Sequence, residues 1–378
     1  MRIGIDASGL TVKSGGIGRY VVNLINHMAW ATSRDESHEL LVFYHKSFDR
    51  SLIHKHPHLI FVDTLARIKS NVLRKGLFLP FVAKKQNLDL FHGVDHIGIP
   101  FFFKRGKCRF VLTVHDLITK LFPEMFTLKH RMIENTLRPL ILRNADRIIA
   151  VSRSTRDDLL RFYPQYADKT RVIYQGVDTR FFPRDREEIK KIQKKYRIDF
   201  PYILSLGTLE PRKNIPRLVE GFAKAKMEGG IEHKLVVTGR KGWKYKEMLS
   251  QLQEGPFSEE IVFTGFVEDE DLPCLYAGAE IFLYLSLYEG FGLPVLEAMA
   301  CETPVITSNL SSLPEVAGDA ALLIDSSSAE EIAASLLRLL SDEELRKDLQ
   351  KKGRERAKFF SWEKTAEEIL ELYEEILT

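Results

Sequence analysis

The stretch IFLYLSLYEGFGLPVLEAMACETPVITS, residues 281–308, contains the pattern that decides the fold. It opens with the apolar run IFLYLS (281–286) and closes with a second apolar run, PVITS (304–308). Between them, a glycine-rich turn leads into an apolar helical run that begins at about Pro294. A strand, a helix and another strand in this order predict a crossover between two parallel strands.

The same alternation of strands and helices extends over the second half of the chain. Further strand candidates are YILSLGT (202–208), KLVVTG (234–239), IVFTGF (261–266) and ALLID (321–325), with helical patterns between them. Nearly every candidate ends in Gly, Ser or Thr, and ligands of such sheets bind beyond the carboxyl ends of the strands. We therefore expect a doubly wound α/β domain with a ligand site at those ends.

The first half of the chain repeats this rhythm less regularly. Its strand candidates include RIGIDAS (2–8), LLVFY (40–44), RFVLTVHD (109–116) and RIIAVS (147–152). A glycine loop and a helical run, SGGIGRYVVNLINHMA, follow the first candidate. Ser154 is expected to cap the helix that follows the last one. The pattern predicts a second doubly wound domain.

The domain boundaries are predicted from composition and from the last helix. YQGVDTRFFP (174–183), which carries a Gly and a Pro between the two patterned halves, is predicted as the hinge. The amphipathic tail SWEKTAEEILELYEEIL (361–377) has no strand after it, so it must pack on a domain that is already built. The predicted parts are residues 1–176, residues 177–360 and a helix, 361–378, that packs back on the first domain.

Composition excludes several classes of protein. With 378 residues the chain is expected to form two domains, and its 44% hydrophobic and 28% charged residues are ordinary for a soluble globular protein. The formal net charge of +3 does not indicate a nucleic-acid-binding protein. No apolar run approaches the roughly 18–20 residues needed to span a bilayer. The opening MRIGIDASGL is expected to be a strand and not a signal peptide, and the three scattered cysteines fit a reducing cytoplasm.

The glycine-rich turn carries two glutamates, Glu289 and Glu297, on either side of its glycines. Glycine lets the backbone approach a ligand closely, and Pro294 suits the first helical position, so the free N–H groups of residues 291–295 are expected to bind an anion. Glu297, expected in the first turn of this helix, would accept hydrogen bonds from hydroxyls such as those of a ribose, and Glu289 from a second hydroxyl-bearing group. The alternative is that Glu289 is solvated and that Glu297 only complements the helix dipole.

Two adjacent cations follow the strand candidate at 202–208. In GTLEPRKN (207–214), Arg212 and Lys213 stand at the carboxyl end of that strand, near the start of the next helix. The planar fork of Arg and the point charge of Lys suit a diphosphate. The alternative is a solvated turn, in which adjacent Arg and Lys are common.

The first half of the chain offers two further candidate sites. The loop GGIG (15–18) is not the dinucleotide-binding pattern, because Val21 occupies the last glycine position. A glycine loop that opens a helix still offers N–H groups to an anion. His115 and Asp116 end a strand candidate, and such a pair is either an acid/base unit or, more often, structural. No nucleophile signature or metal-ligand spacing accompanies them.

An aromatic and basic stretch, IPFFFKRGKCRF (99–110), is a candidate for contact with a membrane surface. Its central part, Phe101 to Lys107, places aromatic rings beside Lys104, Arg105 and Lys107. Such a combination can dock on an anionic membrane surface. The alternative, a buried strand end followed by a solvated basic turn, fits the pattern equally well.

Taken together, these segments resemble one family. EGFGLPVLEAMACETPV is similar to the E-x7-E signature of the retaining GT-B glycosyltransferases of family 4, and GGIGRY, VHD, GTLEPRKN and TGFV match other segments of that family in order. VHD followed by FPEMFT (122–127) is most similar to mannosyltransferases of bacterial polysaccharide assembly. The family usually has Gly where Glu302 stands, and we expect this departure to have a small local cost without loss of activity.

The resemblance implies a GT-B fold, in which two doubly wound, Rossmann-like α/β domains face one another across a cleft. It implies that Arg212 and Lys213 hold the diphosphate of a nucleotide-sugar, that Glu297 holds the ribose, and that Glu289 and His115 contact the transferred sugar. The implied catalytic residues are His115, Glu289, Arg212 and Lys213. The implied donor-binding residues also include Gly16, Gly207, Gly239, Gly265, Phe266, Val267, Gly290, Phe291, Gly292 and Leu293.

The resemblance also implies the partners of the chain. The donor is expected to be GDP-mannose, with UDP-glucose or another nucleotide-sugar as the alternative, and the acceptor a saccharide or a lipid-linked saccharide. The nucleotide-sugar is a substrate, and no cofactor, metal or nucleic acid is expected. The anomeric configuration is expected to be retained through front-face attack, with the departing phosphate taking the acceptor proton. The expected location is the cytoplasm, and peripheral contact with the inner face of the cytoplasmic membrane stays open.

Three other functions remain open at this point. A glycosidase also places two carboxylates around a sugar, although it does not need Arg212 and Lys213 in the same place. A nucleotide-sugar epimerase of the same fold would need no acceptor. A non-catalytic sensor would bind the donor without transferring its sugar.

Overall fold

The structure of the chain is a computed structural model that describes residues 1–8, 15–33, 38–45, 48–64, 83–95, 98–99, 106–243, 245 and 257–378. These residues form two compact units. The first unit comprises Met1–Gly176 and Ser361–Thr378, and the second comprises Val177–Phe360. Each unit contains one sheet of parallel strands and its own apolar core, so the expected α/β class is confirmed.

The sheet of the first unit has seven strands in the order β3-β2-β1-β4-β5-β6-β7. They are β1 (Arg2–Asp6), β2 (Glu39–Tyr44), β3 (Leu59–Asp63), β4 (Leu90–Gly93), β5 (Arg109–Val114), β6 (Arg147–Ala150) and β7 (Thr170–Val172). Each neighbouring pair is parallel. Central strands of such sheets are buried on both faces, which explains why they appear in the sequence as continuous apolar runs, such as residues 40–43.

The sheet of the second unit has six strands in the order β10-β9-β8-β11-β12-β13, again with parallel neighbours. They are β8 (Tyr202–Leu206), β9 (Lys234–Thr238), β10 (Ile261–Gly265), β11 (Ile281–Tyr284), β12 (Val305–Ser308) and β13 (Leu322–Ile324). The strand order reverses between β8 and β11 here, and between β1 and β4 in the first unit. Ligands of doubly wound sheets bind at such a point, beyond the carboxyl ends of the strands.

Helices connect these strands. In the first unit they are Gly16–Thr32, Ile118–Leu121, Leu128–Asn144, Arg153–Phe162 and Trp362–Leu377, and in the second Arg186–Lys195, Ile215–Gly229, Leu272–Ala277, Leu293–Ala300, Leu313–Ala317, Ala329–Ser341 and Glu343–Lys358. The hydroxyl of Ser152 caps Arg153–Phe162, so Ser154, the predicted cap, lies inside that helix. Within the described part of the chain, no helix combines the length and the apolar character that a membrane span requires.

The last helix completes the core of the first unit. Trp362–Leu377 packs against Gly16–Thr32, and its apolar face lies in the same core as β1. That face consists of Trp362, Ala366, Ile369, Leu372, Tyr373 and Ile376, which recur at helical spacing. Gly176 lies so close to the start of this helix that a Cβ there would be 2.2 Å from the backbone nitrogen of Trp362. Glycine therefore allows an approach of two backbone segments that any side chain would prevent.

Candidate functional site

The glycine-rich turn connects β11 to the helix Leu293–Ala300 at the point where the strand order of the second unit reverses. Gly292 precedes the helix with φ at 116°, a left-handed conformation that favours glycine. The helix begins at Leu293, one residue earlier than predicted, so Pro294 is its second residue and Glu297 lies beyond its first turn. The expected position of Glu297 in the first turn is therefore wrong by one residue, because Leu293 also adopts the helical conformation.

Two serines from the next loop fix this turn. The hydroxyl of Ser312 lies 2.9 Å from the carbonyl oxygen of Glu289 and 2.6 Å from that of Phe291. The backbone N–H of Glu289 donates to the hydroxyl of Ser311. A Cβ at Gly292 would lie 2.8 Å from the side chain of Leu313, so the turn is also closely packed. Sequence reasoning did not identify these serines, which follow Glu289 by 22 and 23 residues.

Arg212 and Lys213 meet Glu289 at this turn. Nζ of Lys213 lies 2.5 Å from Oε1 of Glu289, and Nη1 of Arg212 lies 2.6 Å from Oε2 of the same carboxylate. The guanidinium of Arg212 also binds Glu210 at 2.7 Å and donates to the carbonyl of Tyr288 at 3.0 Å. The structure thus brings together three predicted catalytic residues, which follow β8 and β11.

Tyr284, the last residue of β11, joins this cluster and was not identified from the sequence. Its hydroxyl donates to Oε1 of Glu289 at 2.8 Å and lies 2.5 Å from Nζ of Lys213. The ammonium of Lys213 also lies over the Tyr284 ring, 4.6 Å from its centroid, a favourable cation–π distance. We refer to Arg212, Lys213, Tyr284 and Glu289 as the switch-point cluster.

Burial and charge set the protonation states of this cluster. Burial would raise the pKa of Glu289, but the charges of Arg212 and Lys213 outweigh it and hold that pKa at about 2. Burial lowers the pKa of Lys213 to about 8, against the attraction of Glu289. Burial together with the charge of Glu289 raises the pKa of the Tyr284 phenol well above its ordinary value. At neutral pH the cluster therefore holds a carboxylate, a neutral phenol and two cations.

The two cations differ in their access to a ligand. The side chain of Arg212 is 21% exposed, whereas that of Lys213 is 9% exposed. The guanidinium is therefore the more accessible of the two groups to a ligand. Since Glu289 forms ion pairs with both groups, an anion that binds them must compete with this carboxylate.

Three glycines at the ends of adjacent strands form the neighbouring part of the site. Gly207, Gly239 and Gly265 follow or end β8, β9 and β10, with φ at 151°, 152° and 73°. The N–H of Gly207 donates to the carbonyl of Thr238, and the N–H of Gly239 to that of Gly265. A Cβ at Gly239 would lie 1.8 Å from the carbonyl oxygen of Gly207. Gly239 therefore requires glycine for backbone packing, whereas Gly207 and Gly265 favour glycine because of their positive φ.

Beyond the glycines, Phe266 and Val267 have different environments. Val267 is buried. The ring of Phe266 is exposed, and its centroid lies 4.4 Å from the guanidinium carbon of Arg240. Arg240, which follows Gly239, was not identified from the sequence. The predicted contact of this segment with the nucleotide-sugar donor stays a prediction.

Glu297 is held inside the second unit by an aromatic side chain. Its carboxylate is buried, and Oε2 accepts a hydrogen bond from the hydroxyl of Tyr276 at 3.0 Å. The ring of Tyr276 contacts Phe181 and Phe282, which fix its orientation. The alternative in which Glu297 only complements the helix dipole does not account for this buried hydrogen bond. Its predicted contact with a ribose stays a prediction.

In the first unit, Gly16 and His115 lie near carboxyl ends of strands. Gly16 is the first residue of the helix Gly16–Thr32, and a Cβ there would meet no described atom within 4 Å. His115 follows β5, and its Nε2 donates to the carbonyl of Val94 at 2.8 Å. Asp116 accepts a hydrogen bond from the backbone of Ile118. The predicted roles of Gly16 and His115 stay predictions.

Two further expectations concern contact with a membrane and the binding of a metal ion. The predicted membrane-docking stretch falls mostly on residues 101–105, which lie outside the described residues, and only Gly106 and Lys107 at its end are described. Among the residues that the structure describes, no group of three or more His, Cys, Asp or Glu side chains is placed to hold a metal ion.

Models of two protein families match the chain. "Glycosyltransferase Family 4" matches residues 14–181, and "Glycosyl transferases group 1" matches residues 185–356. The O-antigen chain mannosyltransferase B of Escherichia coli is 33% identical over 95% of each chain.

Solved structures share the fold. The sucrose-phosphate synthase from Thermosynechococcus elongatus has a TM-score of 0.80 at 22% identity and covers 100% of this chain and 99% of its own. WaaG, a glycosyltransferase involved in lipopolysaccharide biosynthesis, has a TM-score of 0.74 at 15% identity, with 98% and 99% covered. These likenesses confirm the expected GT-B fold.

Proposed function

This chain belongs to the glycosyltransferases of group 1 and family 4, and we propose that it transfers mannose from GDP-mannose to a saccharide or lipid-linked saccharide with retention of configuration. The observation that carries the proposal is the switch-point cluster, where two cations converge beside a helix N-terminus. A glycosidase has no need for this arrangement, whereas a departing diphosphate needs both cations. The named activity of the Escherichia coli relative supports mannose as the sugar.

In the proposed reaction, the bond between the anomeric carbon and the β-phosphate oxygen breaks. A new bond forms on the same face, between the anomeric carbon and the acceptor hydroxyl oxygen, and the hydroxyl proton passes to the departing phosphate oxygen. Arg212 and Lys213 would stabilise the negative charge that develops on the diphosphate. The N–H of Leu293 at the start of Leu293–Ala300 would do the same, whereas Pro294 has no N–H and the N–H of Val295 donates to the carbonyl of Gly292.

Glu289 would change partners when the donor binds. In the structure it forms ion pairs with both Arg212 and Lys213. A diphosphate would take over this role, because it brings more negative charge than one carboxylate. Glu289 would then be able to accept hydrogen bonds from hydroxyls of the transferred sugar. This exchange reconciles the diphosphate role proposed for the cations with the sugar role proposed for the glutamate.

A panel of donors tests the proposal. The protein is incubated with GDP-mannose, UDP-glucose and other nucleotide-sugars, with and without a saccharide acceptor, and the released nucleotide diphosphate is measured. We expect release of GDP that depends on the acceptor, and an α-linked product by NMR from the α-linked donor. The same rate after addition of EDTA is expected, because Arg212 and Lys213 supply the positive charge that a metal would supply.

Each contrary result of the panel removes a different part of the proposal. Release of UDP in place of GDP would replace the donor, and a β-linked product would overturn retention. Conversion of the donor sugar without any acceptor indicates an epimerase. Hydrolysis of a plain glycoside without nucleotide release would refute the transferase reaction itself.

A further inference from the structure

A chain of hydrogen bonds between four buried side chains crosses the core of the first unit. The phenol oxygen of Tyr373 lies 2.6 Å from Nδ1 of His92, and Nε2 of His92 lies 2.7 Å from Oγ1 of Thr113. The same Thr113 oxygen lies 3.0 Å from the phenol oxygen of Tyr20. The four residues belong to the last helix, β4, β5 and the first helix, and none is more than 1% exposed.

His92 stays neutral inside this chain. Burial, with a smaller effect of nearby His115, lowers the pKa of His92 to about 3. A neutral imidazole donates through one nitrogen and accepts through the other, and the hydroxyls on either side can take either role. Each link of the chain can therefore be satisfied at the same time. A satisfied buried network fixes the positions of its members, because any displacement leaves a polar atom without a partner.

The Tyr20 end of the chain contacts His115. The two rings are nearly perpendicular, at 86°, with their centroids 4.7 Å apart. His115 is also held by its hydrogen bond to Val94, and because a carbonyl oxygen only accepts, Nε2 carries the proton. In the neutral imidazole, Nδ1 then holds the lone pair. The Tyr20 ring and the Val94 carbonyl together restrict the orientation of this nitrogen.

We propose that Tyr20 is a positioning residue for His115, and that the last helix anchors it through Tyr373, His92 and Thr113. This inference rests on the proposed function, because the orientation of His115 affects turnover only if His115 faces the transferred sugar. The last helix then contributes to catalysis as well as to the core of the first unit. Tyr20 also contacts Trp362, the first residue of that helix, at 5.5 Å between ring centroids, which gives a second link to the same element.

A double-mutant cycle on the full-length protein separates positioning from mere stability. Tyr20→Phe removes the hydroxyl that binds Thr113, and Tyr373→Phe removes the hydroxyl that binds His92. We expect each variant to lower kcat about tenfold at unchanged donor KM, the signature of an interaction needed only in the transition state. In the background of His115→Ala, the same substitutions should have no further effect on kcat, because the residue that they position is gone.

Tyr202→Phe is the matched control. Tyr202 is a buried tyrosine of the second unit, and its hydroxyl binds the carbonyl of Leu275 at the opposite end of β8 from the switch-point cluster. Removal of the Tyr202 hydroxyl should lower the thermal unfolding temperature as much as removal of the Tyr373 hydroxyl does. It should not change kcat of the folded protein. All rates are therefore measured per folded molecule, at a temperature where every variant is folded.

The outcomes of the cycle are distinct. If Tyr20→Phe or Tyr373→Phe lowers kcat further in the His115→Ala background, the positioning role is overturned. Full activity in both tyrosine variants would overturn it as well. Should Tyr20→Phe not fold, Tyr373→Phe and Thr113→Val test the same chain from its other members. If the wild-type protein transfers no sugar from any donor, the proposed function fails and this inference fails with it, whereas additive losses in an active enzyme refute only the inference.

Discussion

Lys213 shows how the surroundings of a single side chain decide its charge. Burial lowers its pKa to about 8, so near this pH about half of the free protein carries a neutral Lys213. A bound diphosphate favours the charged form and raises that pKa. Binding of the nucleotide diphosphate should then be accompanied by proton uptake, and its affinity should fall as the pH rises above 8.

Calorimetry measures this uptake directly. Titration of GDP into the protein at pH 8, in buffers of different ionisation enthalpy, should show uptake of about half a proton. Lys213→Met should abolish the uptake, while Lys224→Met, a change of a partly exposed lysine on Ile215–Gly229, should leave it unchanged. Equal proton uptake by wild type and Lys213→Met would show that another group titrates.

Arg212 and Lys213 should each be essential for turnover. Replacement of either by Ala removes one donor to the departing diphosphate, and we expect kcat to fall at least roughly 10²-fold. Arg217→Ala is the matched control, because Arg217 is an exposed arginine on the next helix, paired with Glu220. Steady-state kinetics with the preferred donor provide the measurement, and near-native turnover in both variants would refute the assigned role.

At the scale of a secondary-structure element, the end of the helix Leu293–Ala300 contains a residue that is unusual for its position. Glu302 has φ at 59°, the left-handed conformation in which glycine is favoured after a helix. The N–H of Glu302 binds the carbonyl of Met299, and the N–H of Thr303 binds that of Ala298, as in a Schellman motif. The glutamate side chain forms an ion pair with Arg354 at 2.7 Å, which offsets part of the backbone cost.

Glu302→Gly should therefore stabilise the second unit by up to about 1 kcal/mol. The glycine relieves the left-handed strain, and the ion pair that it loses is exposed and weak. Glu302→Ala retains the strain and loses the ion pair, so it should be slightly less stable than wild type. Chemical denaturation of the two variants provides the comparison, and kcat should be unchanged in both. A more stable alanine variant would show that the ion pair is unfavourable.

The strands and the glycine-rich turn could be predicted because their signals are local. Apolar runs that end in small residues give the strands, and the cations after β8 lie at the predicted strand end. The tyrosines that bind the two glutamates could not be predicted. Tyr284 precedes Glu289 by 5 residues and Tyr276 precedes Glu297 by 21, and only the packing of β11 and the helices brings them together. Two helix starts were predicted wrongly. The error was one residue for the helix that starts at Leu293 and two residues for the helix that Ser152 caps, because neighbouring residues were also suitable as caps or in the first turn.

At the scale of the whole molecule, the chain leaves the first unit after Gly176 and returns to it at Ser361. Gly176 and Trp362 are in backbone contact where these two segments of the first unit meet. We expect Gly176→Ala to destabilise the first unit by about 1–3 kcal/mol, since the backbone must move to admit the methyl group.

Hydrogen exchange in the helix Trp362–Leu377 reports this loss. Gly106→Ala is the control, because a Cβ at Gly106 would meet no described atom within 4 Å, and its effect should stay within about 0.5 kcal/mol. Equal protection of the last helix in the Gly176 variant and in wild type would show that the backbone accommodates the methyl group without cost.

The return of the chain at Ser361 also sets the order in which the protein can fold during synthesis. The second unit is a continuous segment, Val177–Phe360, whereas the core of the first unit lacks the apolar face of the last helix until residues 361–378 are made. Although its strands are synthesised first, the first unit can therefore complete its core only after the second unit has been made. Until residues 361–378 are made, β1 and the first helix lack the cover of Trp362 and Tyr373, and apolar surface that is exposed in this way makes a nascent chain prone to aggregation.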